Sequence, residues 1–114
     1  MRSEAGRSAL DDILHNIILA QHFTDGQDVE RFRDDIMRVY AVTRCLEIIS
    51  EASRRLSNGL KTRHPEVPWR EIAGAGNVYR HDYEDVVANR VWDTVQLALP
   101  TLRAVVEQEL ARYS

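Results

Sequence analysis

The stretch Pro68-Trp69-Arg70-Glu71-Ile72-Ala73-Gly74-Ala75-Gly76-Asn77-Val78-Tyr79-Arg80-His81-Asp82-Tyr83 separates longer helix-patterned segments from one another. It holds one of the two tryptophans, two of the five glycines and the polar group Asn77, Arg80, His81 and Tyr83. Pro68 suits the first position of a helix, where its missing N–H costs nothing. Val67, just before it, is pushed toward an extended conformation. A short helix is therefore expected to start near Pro68 and to carry Asn77, Arg80 and His81 near its end, with Tyr83 at or just beyond its exit.

Outward from that stretch the pattern is helical, and no strand alternation is sustained. Leu10, Ile13, Leu14, Ile17 and Ile18 recur at the spacing of one helix face, with Ser8 as the expected N-cap. His15 and His22 share a face, but no third ligand accompanies them, so no metal site is expected. A second helix is expected from about Asp28 to Ser57. Its apolar seam runs through Phe32, Ile36, Val39, Leu46, Ile49, Ala52 and Leu56, and Asn58-Gly59 supplies a left-handed stop. Glu47 and Glu51 lie four apart on it. They suit either a cation or arginine partner in a site, or, for Glu51, a surface pair with Arg55. From about Ala88, Val91, Trp92, Val95, Leu99, Leu102, Val105, Val106 and Leu110 form a wide apolar stripe interrupted by Pro100, which is expected to kink or split the last helix. Short connections between such helices give an all-α fold: an antiparallel bundle of four to five helices in one domain spanning residues 1–114.

Composition sets the outer limits. The 114 residues suffice for one ordinary core, and 44% hydrophobic with 29% charged residues is the balance of a folded globular chain. A net charge of -3 announces no global basic field for nucleic acid. The single cysteine, Cys45, excludes an intramolecular disulfide framework and suits a reducing cytoplasm. Its apolar setting suggests a core thiol. No secretory leader is expected at the N-terminus, and the apolar clusters are too short to span a membrane.

The polar group of the central stretch has a definite chemistry. On a helix, Asn77 and His81 share a face, as do Gly76 and Arg80. His81 alone can give and take a proton near neutrality. Arg80 is a permanent cation matched to phosphate oxygens, Tyr83 offers a hydroxyl and a stacking surface, and Asn77 can bond a base, ribose or phosphate. Gly74 and Gly76 imply a close approach by backbone or ligand. The set is equipped for a phosphodiester, and no metal or other cofactor is called for. The same residues also suit a plain helix end, with a histidine near the negative end of the dipole and a tyrosine at a corner.

Several motifs together resemble a known family. Ile49-Ser50-Glu51-Ala52 is similar to Ile-Gly-Glu-Ala, and His64-Pro65-Glu66-Val67-Pro68-Trp69-Arg70-Glu71-Ile72-Ala73-Gly74 to His-Pro-x-hydrophobic-Pro-Trp-x-x-Ile-x-Gly. His81-Asp82-Tyr83, Val91-Trp92 and Leu99-Pro100 follow. The chain thus resembles the HepT-like branch of the HEPN (higher eukaryotes and prokaryotes nucleotide-binding) domains. The resemblance implies a helical, usually dimeric toxin of a type VII-like toxin–antitoxin pair, partnered by an MntA-type nucleotidyltransferase. It also implies an RNA-cleaving motif Arg-x-x-x-x-His-x-Tyr, whose tyrosine accepts AMP from the partner. Carried over, His81 and Tyr83 match the motif, Asn77 follows the arginine position, and Glu51 is expected to face the site. The arginine position holds Gly76. Arg80, one turn later, can lean back over it, since helical side chains tilt toward the N-terminus. Two readings stay open: an endoribonuclease toxin using Arg80 and His81, or a non-catalytic nucleotide-binding or AMP-accepting protein modified on Tyr83.

Overall fold

In the computed structural model, residues 4–76 and 83–113 are described. Every regular element among them is helical: α1 (Glu4–Thr24), α2 (Val29–Asp34), α3 (Ile36–Arg54), α4 (Asn58–Arg63), α5 (Trp69–Gly74), α6 (Glu84–Asp93), a π-helical turn (Thr94–Ala98) and α7 (Leu99–Ala111).

Long-range side-chain pairs fix the helix directions. Arg38 near the start of α3 donates to the carbonyl of Phe23 at the end of α1, while Arg55 just past α3 pairs with Asp12 early in α1 at 2.8 Å. These crossed ends make α1 and α3 antiparallel. Likewise Arg103 early in α7 donates to Gln21, and Arg7 lies over the ring of Tyr113 at the other end. So α7 also runs antiparallel to α1. The three long helices close around one core that includes Leu10, Ile13, Ile17, Phe32, Leu46, Ile49, Leu99, Leu102 and Val106, all almost wholly removed from solvent. Each such side chain stabilises the fold by about 1.5–3 kcal/mol before entropy is counted.

Four expectations need correction. Helix α1 starts at Glu4, so Ser8 lies inside it rather than capping it. The rod expected over 28–57 is broken at Asp35, whose carboxylate accepts the Arg38 N–H and starts a new helix, as Asp28 does for Arg31. Asn58-Gly59 stops nothing. Ser57 caps the Leu60 N–H and makes Asn58 the first residue of α4, and Gly26 holds the only positive φ among the described residues. The last helix begins at Glu84, four residues before Ala88, with Tyr83 as its N-cap.

The expectation at Pro100 is met. The proline has no N–H for the Gln96 carbonyl, and its ring would press on that carbonyl. The chain widens by a residue instead: the Leu99 N–H bonds Thr94, five positions back, and the π turn lies between α6 and α7.

Candidate functional site

The short helix expected from Pro68 does form, with Pro68 as N-cap and Trp69 as its first residue. It is shorter than expected. Helix α5 closes at Gly74, and Ala75 donates back to Ile72 at 3.3 Å. Two glycines flanking Ala75 give poor helix propensity, and the exit follows. The expectation that this helix carries Asn77, Arg80 and His81 is therefore corrected: all three come after its end, and they lie outside the described residues.

Two groups fasten α5. At its start, the Trp69 indole N–H donates to the His64 carbonyl at 2.9 Å. His64 is itself buried, and its Nε2 donates to Glu109 Oε2 at 2.7 Å. Glu109, on α7 and 3% exposed, also accepts from Arg63 at 3.0 Å and lies 3.5 Å from Arg112. Burial pushes the Glu109 carboxyl up. The bonds from His64 and Arg63 and the two guanidinium charges outweigh that, and the group rests below its ordinary value. At the far end, the Ala73 carbonyl accepts from both Ser50 Oγ and Arg54 of α3, each at 2.6 Å.

The two glycines of the stretch differ. A Cβ on Gly74 would meet nothing within 4 Å. One on Gly76 would stand 3.3 Å from Ser50 Oγ and 3.4 Å from the Glu47 Cα. The close approach expected of these glycines is therefore made by Gly76 alone, against the backbone of α3.

Tyr83 caps α6 in an extended conformation, its carbonyl accepting the Val87 N–H at 3.0 Å, and its side chain is 86% exposed. Next to it a groove of about 340 Å³ runs between α3 and α6, lined by Ile36, Val39, Tyr40, Thr43, Glu47, Glu84 and Val87. Of the two α3 carboxylates, Glu47 borders this groove. Glu51 is exposed on the same helix, 3.6 Å from Arg55, whose nearer partner is Asp12. The surface pair foreseen for Glu51 forms. The burial of Cys45 pushes its thiol up, as a core thiol's should be.

His15 and His22 are both exposed, and among the described residues no three potential metal ligands gather. No helix of the described chain is long and apolar enough to cross a membrane. The His64–Glu109 pair was not foreseen as a contact. The two residues are 45 positions apart, and only the His-Pro motif marked one of them.

Comparison with known proteins places this arrangement. The family model described as "Ribonuclease HepT-like" matches residues 13–109. The chain is 39% identical over 99 residues to the "Probable ribonuclease HepT" of Thermococcus cleftensis, covering 87% of this chain and 90% of that protein. It is 36% identical over 101 residues to "Putative RNase MJ1380" of Methanocaldococcus jannaschii, covering 89% and 93%. A third relative, "Putative RNase TTE0752" of Caldanaerobacter subterraneus, is 32% identical over 106 residues, covering 93% and 95%. No solved structure matches. With a family model across most of its length and relatives matched nearly end to end, the chain belongs to the HepT-like family of the HEPN superfamily.

Proposed function

We propose that this protein is a metal-independent endoribonuclease, the cytoplasmic toxin of a type VII-like toxin–antitoxin pair. The observation that carries the proposal is the family membership, through relatives whose names denote ribonucleases over nearly the same length. In this reading His81 acts as general base on a ribose 2′-hydroxyl or as general acid on the leaving oxygen. Arg80 holds the phosphate in place of the arginine that Gly76 lacks, and Asn77, Tyr83 and Glu51 position the substrate. The side chain chemistry needed is proton transfer plus a fixed cation, so these residue types call for no metal.

The protein acts as a homodimer in this proposal. Exposed Ile36, Met37, Tyr40, Tyr83 and Val86 come from the first turns of α3 and α6 and from the residue capping α6, and they support an apolar contact between copies. Pairing brings two Arg80–His81 groups together and makes a local basic cleft on a chain of charge -3. Purified protein should cleave RNA. His81→Ala and Arg80→Ala should each lower the rate by about 10²-fold or more. Cleavage undiminished in both variants refutes the assignment.

A second reading is favoured by one observation, the outward position of the Tyr83 phenol. The protein then serves as the AMP-accepting partner of an MntA-type nucleotidyltransferase, which modifies Tyr83, and does not cleave RNA. Co-expression with that enzyme followed by intact-mass measurement separates the two. Mass growing by AMP units and absent in Tyr83→Phe, with no RNA cleavage by the unmodified protein, selects the second reading.

A further inference from the structure

Helix α5 hands the chain to the candidate catalytic segment, so whatever holds its end determines where that segment starts. The Ala73 carbonyl is one of the acceptors a helix leaves unpaired in its last turn. Ser50 and Arg54, one turn apart on α3, both bond it at 2.6 Å. Three residues later Gly76 lies on the same patch of α3, where a methyl group would be a tight fit. The nearest obstacle to a Cβ is the Ser50 hydroxyl at 3.3 Å. That hydroxyl is committed to Ala73, so it cannot rotate aside without giving up its bond. The Glu47 Cα, at 3.4 Å, is backbone already in contact, so it leaves the Cβ little slack in which to move away from that hydroxyl. Nor does backbone conformation demand glycine here, since Gly76 lacks the positive φ that Gly26 shows.

We propose that Ser50 and Arg54 are positioning residues: they pin the end of α5 to α3, and the bonded Ser50 hydroxyl favours glycine at position 76, so the end of α5 keeps one seat on α3 from which the chain goes on to His81. The catalytic consequence rests on the ribonuclease reading above. The pin itself does not, and the two fail in different ways.

The test compares Ser50→Ala, Ser50→Gly, Arg54→Ala, Arg54→Lys, Gly76→Ala and the pair Ser50→Gly with Gly76→Ala. Melting temperature and amide exchange of residues 73–76 read the pin, and kcat and KM on a short RNA read its use. Ser50→Ala, Arg54→Ala and Gly76→Ala should each speed exchange at 73–76 and lower kcat about tenfold, with KM within about twofold, because misplacement of a reacting group falls on the chemical step. Arg54→Lys, which keeps a cationic donor, should restore most of the kcat lost in Arg54→Ala. The decisive result is coupling: Gly76→Ala should cost much less in the Ser50→Gly background than in the parent. Equal cost in both backgrounds, or Gly76→Ala indistinguishable from the parent, overturns the inference, as does a uniform drop in melting temperature with kcat and KM unchanged. Coupling in exchange and melting, with no RNA cleavage by the parent protein, supports the pin and overturns the ribonuclease reading.

Discussion

Replacing Glu109 is the sharpest probe of how the α4–α5 corner is held. Its carboxylate is 3% exposed and receives His64, Arg63 and Arg112. Breaking a buried charged pair by removing one partner costs about 3–5 kcal/mol. Two of the three partners soften that figure here. Arg63 and Arg112 are about half exposed and can turn to water, which leaves His64 as the one buried group without its acceptor. Glu109→Ala should therefore destabilise by about 2–3 kcal/mol. For a chain of this size that is a fall in melting temperature of roughly 8–12 °C. Glu109→Gln keeps an oxygen for His64 and should lose about half as much. The pH dependence has a definite sign. The folded-state carboxyl lies below its ordinary value of 4.5. Its contribution is therefore complete above that value and is lost as pH falls through the lower, folded one. Thermal melts of parent and Glu109→Gln should differ at neutral pH and converge in acid. A gap of constant size at every pH would refute the electrostatic account and leave only packing.

Two further outcomes follow from the helix boundaries and the core. Asp35→Ala removes the carboxylate that caps α3 through Arg38, and urea titration should show a loss of about 1 kcal/mol. Cys45, 4% exposed and with its thiol pushed up by burial, should resist alkylation at neutral pH until denaturant is added.

The sequence announced the long helices because their apolar spacing is set by local geometry, and burial of Leu10, Ile13 and Ile17 on α1 follows the stripe read from it, with Leu14 at its edge and Ile18 exposed. Boundaries were harder where two signals overlap. Phe32, Ile36 and Val39 keep a helical step across Asp35, so the apolar seam hid a break that a carboxylate cap makes. At Ser57-Asn58-Gly59 the Asn-Gly pair suggested a stop, but the hydroxyl just before it found the Leu60 N–H and began a helix. In both cases a short polar side chain bonding its own backbone three residues on outweighed the pattern around it. Pro100 was legible because its effect needs no partner: the missing N–H acts on its own helix.

At the candidate site the balance is different. Residue types alone nominate Asn77, Arg80, His81 and Tyr83, since proton transfer and phosphate binding draw on few side chains. Types cannot reveal what seats the helix that precedes them, because those contacts join distant parts of the chain. Ser50 reads as an ordinary helix residue until Ala73 and Gly76, 23 and 26 positions later, are seen against it. Gly76 shows the same limit from the other side. In sequence it is the place where an expected arginine is missing, and the loss argues against catalysis. In the fold it lies close against α3, where a Cβ would crowd the Ser50 hydroxyl. A side chain there would start 3.3 Å from a hydroxyl already bonded to Ala73 and in contact with the Glu47 backbone. The glycine is thus bound to how the end of α5 is seated against α3.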